Sequence, residues 1–276
     1  NLGSRGSTLR FGGVWTVGVV VQVMLTIVCL TPAFGITREA LRDRIVRARF
    51  PAGDYLAVRI ELDGDVGPAA QSASALAQRK ERIYNELERL ILQEPGVLAV
   101  TFADRLPGMD PEVRRAEVEA VPGGNTVTVR NLWTSLVGPE FFEAFDKPVL
   151  AGRGFHRGDR EAGARTVIVN EAFARRFTGG ATPVGRRLRY APADPAAPEP
   201  WLEIVGMVRD MGMTPTNRGE APYVFHAASP GTVHPAVMGV RVNGDPSALA
   251  SRIRAIAAGL DAGLRLDEMR PLDEMA

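Results

Sequence analysis

Apolar and polar residues alternate with a period of two in "YLAVRIEL", Tyr55–Leu62. Leu56, Val58, Ile60 and Leu62 fall on one face, Arg59 and Glu61 on the other. That pattern predicts a half-buried strand. After the loop "DGDVGPAA" the period changes. Between Gln71 and Glu94, Leu76, Ile83, Leu87, Leu90 and Ile91 recur at helical spacing among lysine, arginine and glutamate. The stripe predicts an amphipathic helix that Pro95-Gly96 stops. "VLAVTFA", Val97–Ala103, then reads as a second strand.

The same order returns near the C-terminus. "AVMGVRV", Ala236–Val242, is strand-like, and Asp245-Pro246 places an acid at a helix cap with proline in the first turn. Leu249, Ile253, Ile256, Ala257 and Leu260 follow at helical spacing. "AVRIELDGD" and "GVRVNGD" are alike enough to suggest two related strand–helix units whose packing brings the two ends of the domain together. Between them lie the shorter strands "RRAEVEAV", "NTVTVRNLW", "TVIVN", "RRLRY" and "WLEIVGMV". Gly/Pro-rich loops separate these, and "APADPAAPEP", Ala191–Pro200, reads as a solvent-exposed hairpin tip.

One stretch follows neither period. No residue from Phe11 to Thr37 is charged, and Arg10 and Arg38 close the run. About 20 apolar residues cross a bilayer as a helix, so residues 11–37 are expected to be transmembrane. A buried core helix rarely needs so long an uncharged run. A cleaved signal peptide is the competing reading, because Ala33-Phe34-Gly35 is a small-x-small triplet, but the run exceeds the apolar core of such peptides. Arg38, Arg42, Arg44, Arg47 and Arg49 follow the run, against Arg5 and Arg10 before it. Charge alone would therefore hold the domain in the cytoplasm, yet long domains translocate largely regardless of such counts.

Composition narrows the function classes. The chain has 276 residues, enough for one or two domains, and its 33 basic residues almost balance 32 acidic ones. Nucleic-acid binding loses its usual electrostatic basis. A single cysteine, Cys29, excludes an internal disulfide framework and a cysteine-built zinc site.

Three stretches bear on possible chemistry. Gly179, Gly180 and Gly185 with Arg186 and Arg187 suggest a phosphate cradle, but the order is wrong. A phosphate loop places glycines between strand and helix, where free N–H groups meet the anion. Here "TVIVN" is the strand, Asn170 the N-cap and Glu171 the first-turn acid, and the glycines come only at the helix end. Phe173 and Phe177, four apart, would pack that helix on a sheet. His156, His226 and His234 share no metal spacing, and no serine sits in a nucleophile elbow. His156 with Asp159 could orient a proton transfer, although "RGFHRGDREAG" reads first as a polar turn. No catalytic, metal or cofactor residue is assigned.

Several pieces in order carry a resemblance: "LAGRGF" (Leu150–Phe155), Val167–Phe177, the Pro183-Val184-Gly185 turn, "IVGMVRD" (Ile204–Asp210) and "APYVFHAA". With the helix and strand–helix–strand start, the chain from about Val14 to its end resembles the MacB/FtsX-type ABC transporter permeases. It is most similar to the duplicated orphan permeases of bacteria, which repeat helix-plus-domain twice in one chain. The resemblance implies an α+β fold: one transmembrane helix (11–37), then a MacB-like periplasmic core domain over 50–276. One lobe would comprise about 50–105 and 221–276, and a β-rich inserted lobe about 106–220. "MRPLDEMA" would lead toward a second membrane helix. Further implications are a bacterial inner-membrane location, a cytoplasmic ABC ATPase partner and a second permease copy or repeat. An extracytoplasmic adaptor and the lipid bilayer complete the implied partners, with no nucleic acid and no chemistry in the domain itself. Arg153, Arg157, Arg175 and Arg176 are the surface-contact candidates. The alternatives are a single-span anchored or secreted binding module, or a hydrolase using His156 and Asp159.

Overall fold

The protein is represented by a computed structural model that describes residues 19–24, 26, 51–63, 73–119, 123–161, 163–192, 197, 199–211 and 220–275. Residues 19–24 and 26 are helical and exposed. Most of the membrane helix expected over 11–37 lies outside the described residues, among which no helix is long and apolar enough to cross a membrane. Residues 49–276 form one compact unit.

That unit opens with β1 (Tyr55–Leu62), α1 (Ala73–Ile91) and β2 (Val97–Ala103). It closes with β10 (Ala236–Val242), α4 (Ala250–Leu260) and β11 (Leu264–Pro271). The strands interleave in the order β11-β1-β10-β2, all neighbours antiparallel. Two strand–helix–strand units paired this way make a ferredoxin-like sheet, so the weak repeat in the sequence corresponds to a real duplication of structure. The period-2 pattern sets the faces. Leu56, Val58, Ile60 and Leu62 pack under Tyr84, Leu87 and Ile91 of α1 and Ile253 and Ala257 of α4. Tyr55 and Ala57 point the other way. Asp245 caps as expected, accepting from the Ser247 N–H at 2.9 Å, but it opens a 3-10 turn (Pro246–Leu249) before α4 begins.

The middle of the chain folds into a ring. It contains β3 (Glu112–Glu119), β4 (Thr126–Val137), β6 (Thr166–Asn170), β7 (Arg187–Tyr190), β8 (Leu202–Val208) and β9 (Tyr223–Ala227). Pairings run β4-β3-β7-β8-β6-β9, and β9 returns to β4 in parallel register through Trp133↔Tyr223 to Val137↔Ala227. A closed circuit leaves no ring edge for another chain to pair with. Its core gathers Val118, Val129, Leu132, Val167, Val169, Leu188, Ile204 and Val224. Phe173 of α3 (Glu171–Phe177) joins them. A short β5 (Val149–Gly152) pairs with β8.

Sheet and ring share one strand contact, Ala103↔Val137, extended by the Asp104 N–H to Leu136 O (3.0 Å) and the Gly138 N–H to Phe102 O (2.8 Å). Aromatic packing supplies the rest. The turn α2 (Phe141–Ala144) sets Phe141 and Phe145 with centroids 4.8 Å apart, and Tyr55 stacks on Phe145 at 4.8 Å. Phe142 meets Phe225 of β9 edge-on at 5.1 Å. The Tyr55 hydroxyl donates to Ala144 O at 3.0 Å, so its polar end is satisfied inside this core.

Two sequence expectations need correction. The helix predicted to Glu94 ends at Ile91, and the chain unwinds through 3-10-type bonds (Gln93 N–H to Leu90 O, Glu94 N–H to Ile91 O) before the glycine. The strand Tyr223–Ala227, grouped by the 221 boundary with the lobe built from the two ends, belongs by its pairings to the ring. Phe141 is fully buried, so Phe141→Ala is expected to destabilise the domain by ~3–5 kcal/mol, read by urea unfolding. Leu98→Ala, at a position 57% exposed, should change stability by less than ~0.5 kcal/mol.

Candidate functional site

The loop between β5 and β6 holds the residues with the strongest claim to chemistry, and the structure uses them as a staple. His156 caps a 3-10 turn (Arg157–Arg160); its Nδ1 accepts the Gly158 N–H at 3.1 Å. The Asp159 carboxylate receives the His156 N–H (2.8 Å), the Thr166 hydroxyl (2.7 Å) and both terminal nitrogens of Arg153 (2.6 and 3.0 Å). These donors overcome the effect of burial and hold Asp159 well below the usual carboxylate range. A carboxylate committed to four donors has no capacity left to orient a histidine for proton transfer. His156 and Asp159 do meet, at 3.4 Å, but as a reciprocal cap.

A second knot fixes α3. Asn170 is 1% exposed, and its Oδ1 accepts from the N–H groups of Phe173 (3.1 Å) and Tyr223 (2.9 Å) while Nδ2 donates to Ala221 O (2.8 Å). One side chain thus caps the helix and pins the start of β9. Asp210, just past β8, accepts the Ala172 N–H at 2.8 Å and pairs with Arg175. The predicted cap at Asn170 is therefore present. Its tie to β9 and the contribution of Asp210 had no local sequence signal, because both partners are about 40 or more residues away along the chain. Gly179 and Gly180 take positive φ (64° and 84°) where the helix ends, consistent with a C-terminal turn rather than a phosphate loop. Arg187 is engaged by Glu119, to which its Nη2 donates at 2.6 Å.

Close backbone approach explains two further glycines. A Cβ on Gly152, whose φ is +75°, would lie 2.2 Å from Val205 O, and one on Gly206 would lie 2.2 Å from Arg153 O. "LAGRGF" and "IVGMV" are thus two halves of one β5–β8 crossing.

Of the four arginine candidates, Arg153 and Arg175 serve these knots, while Arg157 and Arg176 are exposed. On the outer face of the ring, Arg187 and Arg189 lie over Trp201 at 5.4 and 4.7 Å. Beneath Arg114, which stacks on Tyr190 at 3.8 Å, the Tyr190 hydroxyl and His226 Nε2 are 2.6 Å apart. Burial, seconded by Arg114, lowers the His226 imidazole to about 4. Among the described residues, no group of three or more His, Cys, Asp or Glu side chains is placed to hold a metal.

The fold and these knots define a mixed α/β scaffold in which a β-ring is inserted into a ferredoxin-like sheet. Residues 33–256 match the family model of the MacB-like periplasmic core domain, and the chain belongs to that family. Solved structures similar to it include a permease-protein domain from Porphyromonas gingivalis (20% identity, 80% of this chain and 92% of that one, TM-score 0.46). The periplasmic region of MacB from Actinobacillus actinomycetemcomitans aligns at 11% identity over 81% of this chain and 91% of its own, with TM-score 0.47. The extracellular domain of the ABC-type transporter YknZ from Gram-positive bacteria aligns at 14% identity over 77% and 100%, with TM-score 0.40. No curated protein matches the chain.

Asp159→Asn should cost ~1–3 kcal/mol, because it replaces an acceptor-only group with one that must turn a donor toward Arg153. Circular-dichroism unfolding at neutral pH checks this. An unfolded chain binds more protons at position 226 than the native one between about pH 6.5 and 4. The His226 contribution therefore weakens as pH falls through that window. The difference in unfolding free energy between wild type and His226→Gln should shrink from pH 7 to pH 4.5.

Proposed function

We propose that this domain is the extracytoplasmic part of an ABC transporter permease that carries out mechanical work without chemistry of its own. ATP binding and hydrolysis on a cytoplasmic ATPase would close paired permease copies, or two repeats of one chain. The membrane helices, residues 11–37 among them, would pass that movement to the extracytoplasmic domain at the inner membrane. There it would act on a substrate or an adaptor protein. Such coupling is a population shift between assembly states, in which the domain supplies surface and leverage.

The observation that carries the reading is the adjacency of the incoming and outgoing strands. β1 and β11 pair along one another, with Leu56 opposite Pro271. Displacement at either end of the domain is therefore delivered to the same edge of one sheet, as suits a domain set between two membrane segments. The family match over residues 33–256 supports the same reading. So does the way His156, Asp159 and Arg153 are consumed by a loop staple. The division into a sheet lobe from the two ends and an inserted β-rich lobe belongs to this proposal, with the second boundary drawn after Ala227.

Topology is testable with one cysteine. In a Cys29→Ser background, Leu98→Cys should react with a membrane-impermeant maleimide in intact spheroplasts, since that position is 57% exposed. Labelling only after lysis would contradict an extracytoplasmic domain. His156→Ala in the complete permease–ATPase complex should leave ATP turnover within about twofold, because the side chain only caps a 3-10 turn. Loss of activity with unchanged stability would restore a chemical role.

A further inference from the structure

The outer face of the ring carries an indole among charges that nearly cancel. Trp201 directly precedes β8 and is half-buried, and Arg187 and Arg189 of β7 lie 5.4 and 4.7 Å from its centroid. It lines a groove of about 520 Å³ together with those two arginines, Arg165, Glu199 and Glu203. Strand pairing fixes the layout. Glu117 of β3 stands opposite Arg189, and Arg187 stands opposite Glu203 of β8. The Glu203 N–H donates to Arg165 O at 2.7 Å, which sets the residue before β6 beside the same wall. Both β7 guanidinium groups are anchored. Arg187 donates from Nε (3.1 Å) and Nη2 (2.6 Å) to Glu119, and Arg189 from Nε (2.8 Å) and Nη2 (2.6 Å) to Glu117. A guanidinium has five N–H donors, and Nη1 of each arginine takes no part in these bonds. Arg165 is exposed and Glu199 half-buried, and neither forms an ion pair among the described residues.

We propose that this groove binds a neutral oligosaccharide, with one flat, all-equatorial pyranose ring laid on Trp201. The charges argue against an ionic ligand. An anion drawn to the three arginines meets Glu199 and Glu203 beside them and the two glutamates that anchor Arg187 and Arg189. A cation drawn to the carboxylates meets the guanidinium groups. A hydroxyl suffers neither repulsion, because it donates to a carboxylate and accepts from an arginine N–H at once. The indole selects the shape of the ring. Its face is electron-rich, and an all-equatorial pyranose turns its axial C–H groups, the positive ends of weak dipoles, toward such a face. The hydroxyls then radiate in the plane of the sugar, toward the charged rim. An apolar floor with a few polar groups at its edge is the common form of a small-ligand site. Because Arg187 and Arg189 are already anchored, little side-chain freedom is lost on binding. This inference concerns one face of the ring and stands apart from the transport reading.

Fluorine NMR of the full-length protein labelled with 5-fluorotryptophan tests it, in a detergent without a sugar headgroup. The chain has three tryptophans, Trp15, Trp133 and Trp201, and Trp201→Phe assigns the last resonance. Cellotriose should shift that resonance saturably, with a dissociation constant of ~1–10 mM. The shift should persist when NaCl is raised from about 50 to about 500 mM, since no net charge is paired. Arg165→Ala and Glu199→Gln remove no ion pair from the fold, and each should weaken binding about threefold or more. A Trp201 resonance that does not move with cellotriose, or undiminished affinity in both variants, would overturn the proposal. So would a shift produced by hexaglutamate and abolished by salt, with none from cellotriose, which would make the groove an acidic-peptide site.

Discussion

The ring is held against the sheet by the aromatic packing around α2. Covalently, the ring leaves the sheet after β2 and returns through β9 into β10; among the described residues the sheet and ring strands have one paired position, Ala103↔Val137. So short a backbone junction would act as a hinge. Phe141, Phe142 and Phe145 remove that freedom by filling the gap between the helix-free face of the sheet (Tyr55, Ala57, Val237) and the outside of β6, β8 and β9 (Ile168, Val208, Phe225). Buried aromatic side chains are worth several kcal/mol each, and their tilted and edge-on pairings are geometrically selective. A sheet and a ring that could have been two independent parts thereby share one core.

That fusion connects fold to function. The incoming and outgoing strands share one sheet edge, α1 and α4 cover one face, and the aromatic core covers the other. Under the proposed function, a force applied at the paired ends would meet a sheet backed on both sides and pass into the ring. The polar residues that look reactive in the sequence are spent keeping this body stiff. Asp159 ties the loop before β6, Asn170 ties α3 to β9, and Asp210 ties α3 to the end of β8. Each is a buried or half-buried group whose hydrogen-bonding capacity is used by backbone, arginine or the Thr166 hydroxyl, as the cost of burying an unsatisfied polar group demands.

The regular elements were legible because their signals are local. β1 has the bounds that alternation set, β2, β6 and β10 those of their short apolar runs, and the Asn170 cap and the glycine turn after α3 were readable from residue order. What escaped was non-local. β5 has four residues, and β11, "LRLDEMRP", is a charged edge strand that pairs with β1 alone, so neither shows an amphipathic period. "YVFHA" in β9 carries strand-forming Tyr223, Val224 and Phe225, but its place in the ring is set by register with β4 and β6, which no local pattern shows. Tyr84 joins the buried stripe of α1 although the predicted stripe passed from Ile83 to Leu87, because it stacks on a strand 18 residues further on. The candidate site fared similarly. His156 and Asp159 were visible as a pair, but the carboxylate's commitment to Arg153 and Thr166 appears only once β5 and β6 are set side by side with β8.

The most direct test of the central claim is a distance within the domain while the complete transporter turns over. Spin labels at the exposed positions Glu61, on the sheet, and Arg115, on the ring, in a Cys29→Ser background would report it by double electron–electron resonance at constant pH. If the aromatic core makes one lever, the intradomain distance stays within about 2 Å on adding ATP, below the scale of loop and domain rearrangements, while distances between permease copies change. A shift of the sheet–ring distance with ATP would contradict the account and put the working hinge at the Ala103–Val137 junction.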